Sequence, residues 1–279
     1  MTVLEVLTAA TGFLEKQGVE SPRLNAEHLL AHVLKKKKRI ELYLDFERPL
    51  GEAERAPLRD LVRQRAEGRP LQHLLGTVDF LGHLFLSDSR ALIPRPETEQ
   101  LVELVQSLTS TPDPQILDVG TGSGVIALSL ALKYPLANIS ACDISADALA
   151  LARENAARHS LDSRIAFQQS DLLSGIEGTF DIIVANLPYI PSEELPGLSR
   201  EVRHDPSTAL DGGADGLALI ARLIEEAPRV LAPGGLLALE IGIGQSVAAI
   251  NLLAGKNYRD IAPHPDYQKI ERFLIARHG

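Results

Sequence analysis

The sequence predicts an α/β protein with a mostly parallel seven-stranded sheet, preceded by a small all-helical domain. From position 115 onward, short apolar runs alternate with helical periodicity, which is typical of a parallel sheet covered by helices on both faces. Residues 1–75 show helical periodicity with almost no strand signal, and residues 76–92 show the alternation and turns of a β-hairpin. We therefore predict a helical domain at 1–75, a hairpin linker at 76–92 and a sheet domain at 93–279.

The predicted helical domain has a start signal, a stop signal and one basic run. Ser21 followed by Pro22 is typical of an N-cap with proline at the first helical position. A helix over 52–67 is closed by Gly68, and a short helix is expected over 39–44. The run Lys35-Lys-Lys-Lys-Arg39 fits either a solvated helix end or a contact patch for RNA or an RNA-bound partner.

The predicted sheet strands are short and apolar. Five strands lie at 116–119, 139–142, 164–169, 182–185 and 236–241, and two weaker ones at 258–262 and 272–276. Helices are expected at 124–134, 146–160 and 216–231 between them, and a further helix begins at Pro96. Consecutive strands joined by helices place their carboxyl ends at one edge of the sheet, where open α/β sheets bind ligands.

Composition excludes several classes of protein. No apolar run approaches the length of a membrane span, and the first residues lack the pattern of a secretory signal. The single cysteine, Cys142, fits a reducing cytoplasm. The sequence has no Cys/His cluster at the spacing of metal ligands, so no structural zinc site is expected. A net charge of −9 argues against a broad, non-specific grip on nucleic acid, so we expect no stable nucleic-acid binding.

Three successive strand ends carry aspartates that together predict a cofactor site. Asp118 precedes a glycine loop and suits a cationic amino group, Asp143 suits two ribose hydroxyls, and Asp171 with Leu172 suits an adenine. Each aspartate alone could be an N-cap, and the loop alone could serve a dinucleotide. The combination fits S-adenosylmethionine best. The candidate cofactor-binding residues are Arg95, Thr98, Asp118, Gly120, Thr121, Gly122, Ser123, Gly124, Asp143, Ile144, Asp171, Leu172 and Asn186.

The fourth predicted strand ends in Asn186-Leu-Pro-Tyr189. An amide, a proline-stiffened turn and an aromatic ring at this edge fit a ligand site, although a polar strand-to-loop turn would have the same composition. Arg95 lies between two prolines, which would hold its guanidinium on a stiff segment. It is either a surface arginine or an arginine directed at a carboxylate, such as that of an amino-acid-like cofactor.

These motifs resemble those of a known enzyme family. The loop at 118–124, with Asp143 and Asp171, is similar to that of class I S-adenosylmethionine-dependent methyltransferases, whose fold is Rossmann-like. The motif at 186–189 resembles the N-P-P-Y motif of enzymes that methylate amide or amine nitrogen. Segments 92–99 and 201–217 resemble those of the HemK/PrmC family, the release-factor glutamine methyltransferases. The sequence departs at Leu187, where that family usually has proline, so we expect a slightly more mobile loop.

The resemblance implies a substrate and a set of catalytic residues. The substrate would be the glutamine of the Gly-Gly-Gln motif in class I peptide-chain release factors, held partly by the helical domain. The Asn186 side-chain oxygen and the Leu187 carbonyl would each accept one amide N–H, with Pro188 as stiffener and Tyr189 packing on the substrate. Two alternatives are an adenine-specific DNA methyltransferase, which faces a similar nitrogen, and a non-catalytic protein that uses the fold as a binding platform.

Overall fold

The computed structural model describes residues 1–279, which form two units. Unit 1 comprises Met1–Thr77 together with Ser199–His204, and unit 2 comprises Val78–Leu198 and Asp205–Gly279. None of the helices is long and apolar enough to cross a membrane. No group of three or more His, Cys, Asp or Glu side chains is placed to hold a metal ion.

Unit 1 is helical. Its elements are α1 (Val3–Lys16), α2 (Pro22–Val33), a 3-10 helix (Arg39–Asp45), α3 (Glu52–Ala66) and α4 (Leu71–Leu75). Fourteen buried apolar residues from these elements and their connections form one core cluster, with Leu7, Leu14, Leu29, Leu30 and Leu42 fully buried. The amphipathic spacing that predicted the helices is therefore the spacing that builds the core. Helix α4, only five residues long, was not predicted.

The start of α2 differs in detail from the sequence prediction. Pro22 is indeed the first helical residue, but Ser21 has a left-handed backbone (φ 47°) and its side chain caps nothing. The Asn25 side chain instead donates to the carbonyls of Glu20 and Ser21, at 2.9 and 3.1 Å. The capping prediction for Ser21 was wrong because an N-cap hydroxyl needs an extended backbone to reach the first-turn amides.

A buried arginine ties the outlying segment 199–204 to the rest of unit 1. Arg65 donates from Nε to Asn25 Oδ1 at 2.6 Å and pairs with Glu201. Within the basic run, Lys36 pairs with Asp45 at 2.5 Å and Arg39 with Glu27 at 2.6 Å, while Lys35, Lys37 and Lys38 are exposed. The run is thus partly neutralised within unit 1, and its contact with RNA or an RNA-bound partner stays a prediction.

Unit 2 contains the predicted sheet. Its seven strands are β3 (Gln115–Val119), β4 (Asn138–Asp143), β5 (Ile165–Gln169), β6 (Phe180–Asn186), β7 (Leu231–Glu240), β8 (Tyr258–Pro265) and β9 (Glu271–His278). Their spatial order is β5-β4-β3-β6-β7-β9-β8, and β9 alone runs opposite to the other six strands. The predicted mostly parallel seven-stranded sheet is confirmed.

Helices cover both faces of this sheet. They are α5 (Pro96–Leu108), α6 (Val125–Lys133), α7 (Ala146–Arg158), α8 (Ala218–Glu226) and α9 (Ser246–Ala254). Successive residues of β3 belong to different cores, with Ile116 in one cluster and Leu117 in the other. Burial on both sides explains why the strands are continuous apolar runs rather than alternating ones.

Strand β7 begins earlier than predicted. The prediction placed its start at 236 because Pro233-Gly-Gly235 resembles a stop signal, whereas the strand runs from Leu231. Its pairing with β6 jumps from Phe180↔Leu231 to Ile182↔Leu236, so the extra residues form a bulge. A bulge accommodates proline and glycine that a regular ladder would exclude.

The hairpin consists of β1 (Thr77–Phe80) and β2 (His83–Leu86). Fully buried Asn155 on α7 exchanges hydrogen bonds with the backbone of Leu86, receiving from its N–H at 2.6 Å and donating to its carbonyl at 3.2 Å. The same amide donates to the Ser123 carbonyl at 2.9 Å. One side chain thereby fixes both the hairpin and the glycine loop to α7 within unit 2.

The chain changes direction across the sheet beside β3. Strands β3, β4 and β5 proceed toward one edge, and β6 then returns to the other side of β3. Such a reversal leaves a crevice at the carboxyl ends of β3 and β6, which is where ligands bind in open α/β sheets. The glycine loop follows β3 and Asn186 ends β6, so both predicted motifs meet at this crevice.

Candidate active site

A cavity of about 410 Å³ lies at this crevice, within the usual size of a small-molecule site. Most residues predicted for the site line it: Arg95, Thr98, Gly120, Thr121, Gly122, Ser123, Asp143, Ile144, Asp171, Leu172, Asn186, Leu187 and Pro188. Three predicted residues do not: Asp118, Gly124 and Tyr189. We call residues 120–124 the cofactor loop and residues 186–191 the acceptor loop.

The cofactor loop is shaped by glycines with positive φ. Gly120 has φ +72°, and a Cβ added there would lie 2.8 Å from Leu187 Cδ2. Gly124 has φ +85°, and a Cβ there would lie 3.1 Å from side-chain atoms of Ala152 and Leu128. Both positions combine a left-handed backbone with close packing, so a side chain is disfavoured twice over. Gly124 therefore shapes the loop from behind and does not face the cavity.

Asp118 supports the cofactor loop from within the core. Its Oδ2 accepts from the Thr121 hydroxyl at 2.6 Å and from the Ala127 N–H in the first turn of α6 at 3.1 Å. Its Oδ1 is buried without a partner, and burial raises the pKa of this carboxyl to about 7. Asp118 is not the N-cap of α6, which is Gly124, although its carboxylate accepts from a first-turn N–H of that helix. Its predicted contact with a cationic group stays a prediction.

Asp143 faces the cavity at the end of β4. One carboxylate oxygen accepts from the Gly122 N–H and the other from the Ser145 N–H, both at 2.9 Å. Burial raises the pKa of Asp143, while these backbone hydrogen bonds oppose the increase. Each oxygen keeps a free lone pair. The carboxylate is thus held rigidly with capacity to accept two more donors, such as a pair of hydroxyls.

The end of β5 closes another side of the cavity. Leu172 is buried with a left-handed backbone (φ 49°), and the Ser170 hydroxyl donates to the Leu172 carbonyl at 2.8 Å. Asp171 remains half exposed and pairs with Arg222 at 3.1 Å. An apolar side chain and a carboxylate therefore line the cavity at this strand end, and their predicted contact with an adenine stays a prediction.

The acceptor loop presents two unused acceptors. The Asn186 side chain donates from Nδ2 to the Thr98 hydroxyl at 2.9 Å, and its Oδ1 accepts no hydrogen bond within the protein. The Leu187 carbonyl, the next acceptor along the chain, is also unpaired, although the Leu187 side chain is buried against the core. Burial of that side chain restrains the loop and counteracts the mobility expected from the missing proline.

The backbone beyond the motif is fixed by a second loop. Ile190 and Asp211 form a parallel bridge, and the Gln245 side chain donates to the Tyr189 carbonyl at 2.9 Å. A Cβ at Gly212 would lie 2.7 Å from the Pro188 carbonyl oxygen, so this loop approaches as closely as backbone allows. These contacts hold the acceptor loop in one conformation.

Arg95 lines the cavity but has a protein partner. Its guanidinium pairs with Asp205 at 2.8 Å, and Asp205 also accepts from the Ile93 N–H at 3.2 Å. The carboxylate that Arg95 contacts in this structure is therefore a buried aspartate of the same unit. The predicted contact of Arg95 with a cofactor carboxylate stays a prediction.

Tyr189 lies behind the cavity wall. Its ring packs on the second sheet core, and its hydroxyl makes a long contact of 3.4 Å to Glu240 Oε1. Burial, followed by the neighbouring Glu240 charge, raises the pKa of Tyr189 well above its ordinary value, so the phenol stays protonated. Its predicted role as a platform for the substrate is untested.

Sequence reasoning missed three residues that organise this site: Asp205, Glu240 and Gln245. Each acts through a partner more than fifty positions away, which no local pattern reveals. Glu240 did carry a signal, because an acidic residue ends the otherwise apolar run of β7. Carboxylates are almost never fully buried without a purpose or a partner.

Comparison with known proteins identifies the family. Residues 5–76 match the PrmC N-terminal domain, and residues 99–196 match the methyltransferase small domain. The chain is 41% identical over 285 residues to the release factor glutamine methyltransferase of Chlorobaculum tepidum, covering 98% of this chain and 96% of that protein. The chain belongs to the release factor glutamine methyltransferase family. Members from Deinococcus radiodurans (41% identity, 99% of both chains) and Moorella thermoacetica (42%, 99% and 98%) agree.

Solved structures support the fold assignment. The hMettl16 catalytic domain superposes with a TM-score of 0.60 at 18% identity, covering 78% of this chain and 82% of that one. A Thermus thermophilus 16S rRNA methyltransferase (RsmC), solved with AdoMet and guanosine, has a TM-score of 0.53 at 19% identity, covering 73% and 50%. At such identities the likeness concerns the fold alone, and that fold is the class I methyltransferase fold predicted for this family member.

Proposed function

We propose that the protein transfers a methyl group from S-adenosylmethionine to the side-chain amide nitrogen of the glutamine in the Gly-Gly-Gln motif of class I release factors. The observation that carries this proposal is the pair of unpaired acceptors, Asn186 Oδ1 and the Leu187 carbonyl, beside the cavity and the cofactor loop. A primary amide has two N–H donors, and this pair offers one acceptor for each.

The residues around the cavity fit S-adenosylmethionine. Asp143 can accept the two ribose hydroxyls, Leu172 offers an apolar face to the adenine, and the cofactor loop lets backbone approach closely. Asp118 keeps a buried, unpaired oxygen below the loop that adds negative potential toward a cationic group. When bound, the cofactor supplies an electrophilic methyl group on a sulfonium.

The chain's own task is to make a poor nucleophile reactive. An amide nitrogen shares its lone pair with the carbonyl, which keeps the group planar and weakly nucleophilic. Two acceptors that hold the N–H groups orient the nitrogen and stabilise the positive charge that develops on it. This combines proximity with electrostatic preorganisation, and it requires no base before transfer. The methylated nitrogen then releases one proton to solvent.

The partner and the location follow from the same proposal. Release factors are the protein substrate, and the helical residues of unit 1 are the proposed recognition domain. The one cysteine, Cys142, is unpaired and buried, as suits a reducing cytoplasm. With a net charge of −9, stable binding to nucleic acid is not expected.

A methyl-transfer assay tests the proposal. Purified class I release factor and methyl-labelled S-adenosylmethionine are incubated with the protein, with a release factor carrying Gly-Gly-Asn as the matched control substrate. We expect label in the first substrate only. Equal labelling of both, or none in either, would overturn the proposal, and transfer to adenine in DNA instead would support the DNA-methyltransferase alternative.

A further inference from the structure

Glu240 is a carboxylate buried almost completely beside the acceptor loop. It is the last residue of β7, the register partner of Asn186 on β6, and only 1% exposed. No lysine or arginine side-chain nitrogen lies within 4 Å of its carboxylate oxygens, since Arg95 pairs with Asp205 and Arg272 with Asp266. Burying an ionised carboxylate without a paired cation destabilises the folded state. The structure therefore retains a destabilising group at the strand end adjoining the site.

The groups around Glu240 come from three elements. Thr98 on α5 donates its hydroxyl proton to Glu240 Oε2 at 2.8 Å, and Tyr189 after β6 makes the longer contact to Oε1. Glu97, also on α5, opposes ionisation of Glu240, whereas Arg272 on β9 favours it. The strongest of these contacts leads through Thr98 to Asn186.

While Glu240 is ionised, the hydrogen bonds that join Glu240, Thr98 and Asn186 can run in only one direction. An ionised carboxylate can only accept, so the Thr98 hydroxyl must use its single proton on Glu240. Thr98 Oγ1 can then only accept from Asn186, which turns the amide so that Nδ2 meets Thr98 at 2.9 Å. Asn186 Oδ1 is consequently the atom left unpaired. The orientation of the Asn186 amide is therefore set by Glu240, which acts through Thr98.

We propose that Glu240 is a positioning residue, which acts through Thr98 to keep the Asn186 oxygen turned toward the substrate amide. The inference rests on the proposed function, which requires an acceptor at Asn186. It explains why Asn186 presents its Oδ1 rather than its Nδ2 to the substrate. A protonated Glu240 could donate to Thr98, and Thr98 could then donate to Asn186 Oδ1. The amide would present N–H groups, which cannot accept from the substrate.

The pH dependence of transfer follows from this reversal. Burial raises the pKa of Glu240 to about 7, against an ordinary value of 4.5. The maximal rate with saturating cofactor should therefore rise with pH through neutrality as Glu240 ionises. The Asp118 carboxyl titrates in the same pH range, but it contacts the cofactor loop. Its ionisation should therefore change the affinity for the cofactor rather than the maximal rate.

We call the hydrogen bonds that run from Glu240 through Thr98 to Asn186 the relay. Two substitutions test the relay by kinetics. Glu240→Met keeps length and removes both acceptors, and should lower kcat at least about tenfold while the cofactor KM changes less than about twofold. Glu240→Gln keeps an acceptor but cannot ionise, so its kcat should no longer rise between about pH 6 and 8. An unchanged kcat in the first variant, or a wild-type pH slope in the second, would overturn the proposal.

Stability separates positioning from simple structural support. The folded state holds the proton on Glu240 more tightly than the unfolded state does, so the free energy of unfolding falls as the pH rises from about 4.5 to about 7 and stays lowered above that range. The Gln variant should therefore melt no lower than wild type at about pH 8. A kcat loss that merely follows a lower melting temperature would contradict a positioning role.

A spectroscopic measurement gives a readout without substrate. The Asn186 side-chain amide signals are assigned by their loss in Asn186→Ala, and followed by NMR against pH. We expect them to shift near neutrality in wild type and not in Glu240→Gln. If they do so while wild type transfers no methyl group, the proposed function fails and the relay stands. If transfer occurs and the signals ignore Glu240, only the relay fails.

Discussion

The cofactor loop and the acceptor loop follow adjacent parallel strands, yet they are built in opposite ways. In the cofactor loop, the N–H groups of Gly120, Thr121, Gly122 and Gly124 and the Thr121 hydroxyl all donate to partners within the protein. In the acceptor loop, the two groups at the cavity, Asn186 Oδ1 and the Leu187 carbonyl, have none. The cofactor loop thus uses its donors within the protein, whereas the acceptor loop leaves two acceptors available to a ligand.

This difference fits two separate tasks. A loop that binds a large cofactor gains from a rigid shape, because the cost of ordering it has been met during folding. A loop that stabilises charge during the reaction must instead keep its acceptors free until the substrate arrives. The acceptor loop achieves this without losing rigidity, since Thr98, Gln245 and the buried Leu187 side chain hold it from behind.

The largest effect is expected for Asn186→Ala, which removes one of the two acceptors. Transfer should slow by about 10²–10³-fold, as when one charge-stabilising group is deleted from an active site. Cofactor affinity, measured by calorimetry, should change little. Asn251→Ala, an exposed asparagine on α9, is the control and should behave as wild type. A large loss of cofactor binding in Asn186→Ala would erase the proposed division between the loops.

Asp143→Ala should have the reverse signature. It removes a charged acceptor from the cavity wall, so cofactor affinity should fall by about 10–100-fold. Near-normal kcat is expected once the cofactor is saturating. Asp147→Ala, an exposed neighbour in the first turn of α7, serves as control. A kcat loss that saturating cofactor does not restore would show that the cofactor loop also governs the reaction.

Gly120→Ala tests how closely the two loops pack. The new methyl group meets a left-handed backbone, which costs about 1–2 kcal/mol, and also the Leu187 side chain. Gly178→Ala has a left-handed backbone with open space around it, so it isolates the first cost. The Gly120 variant should melt lower than the Gly178 variant, by about 2–4 °C per kcal/mol of contact strain. Equal melting temperatures would mean the contact is unimportant.

Leu187→Pro should have the smallest effect on rate. The carbonyl that we propose as an acceptor remains, so the rate of transfer should change less than about threefold, or below about 0.7 kcal/mol. Stability should fall instead, because the proline leaves part of the buried leucine site unfilled. Single-turnover kinetics and thermal melting measure the two effects. A tenfold faster transfer would show that the leucine is a defect in the acceptor loop.

The sequence predicted those parts of the site that depend on local pattern. Gly120 and Asn186 lie directly after apolar runs, and parallel strands bring such positions to one edge of a sheet. The supporting contacts were not predictable, because they join residues far apart: Thr98 to Glu240 and Arg95 to Asp205. The capping prediction for Ser21 was wrong because capping propensity does not determine its backbone, which is left-handed.

A structure of the protein with S-adenosylhomocysteine and a Gly-Gly-Gln peptide tests the central claim most directly. The glutamine nitrogen should lie at hydrogen-bonding distance, about 2.7–3.2 Å, from both Asn186 Oδ1 and the Leu187 carbonyl oxygen. Peptides in which the glutamine is replaced by a residue without side-chain N–H donors should not bind in the cavity. A glutamine whose carbonyl oxygen faces Asn186, or whose nitrogen contacts neither acceptor, would contradict the account.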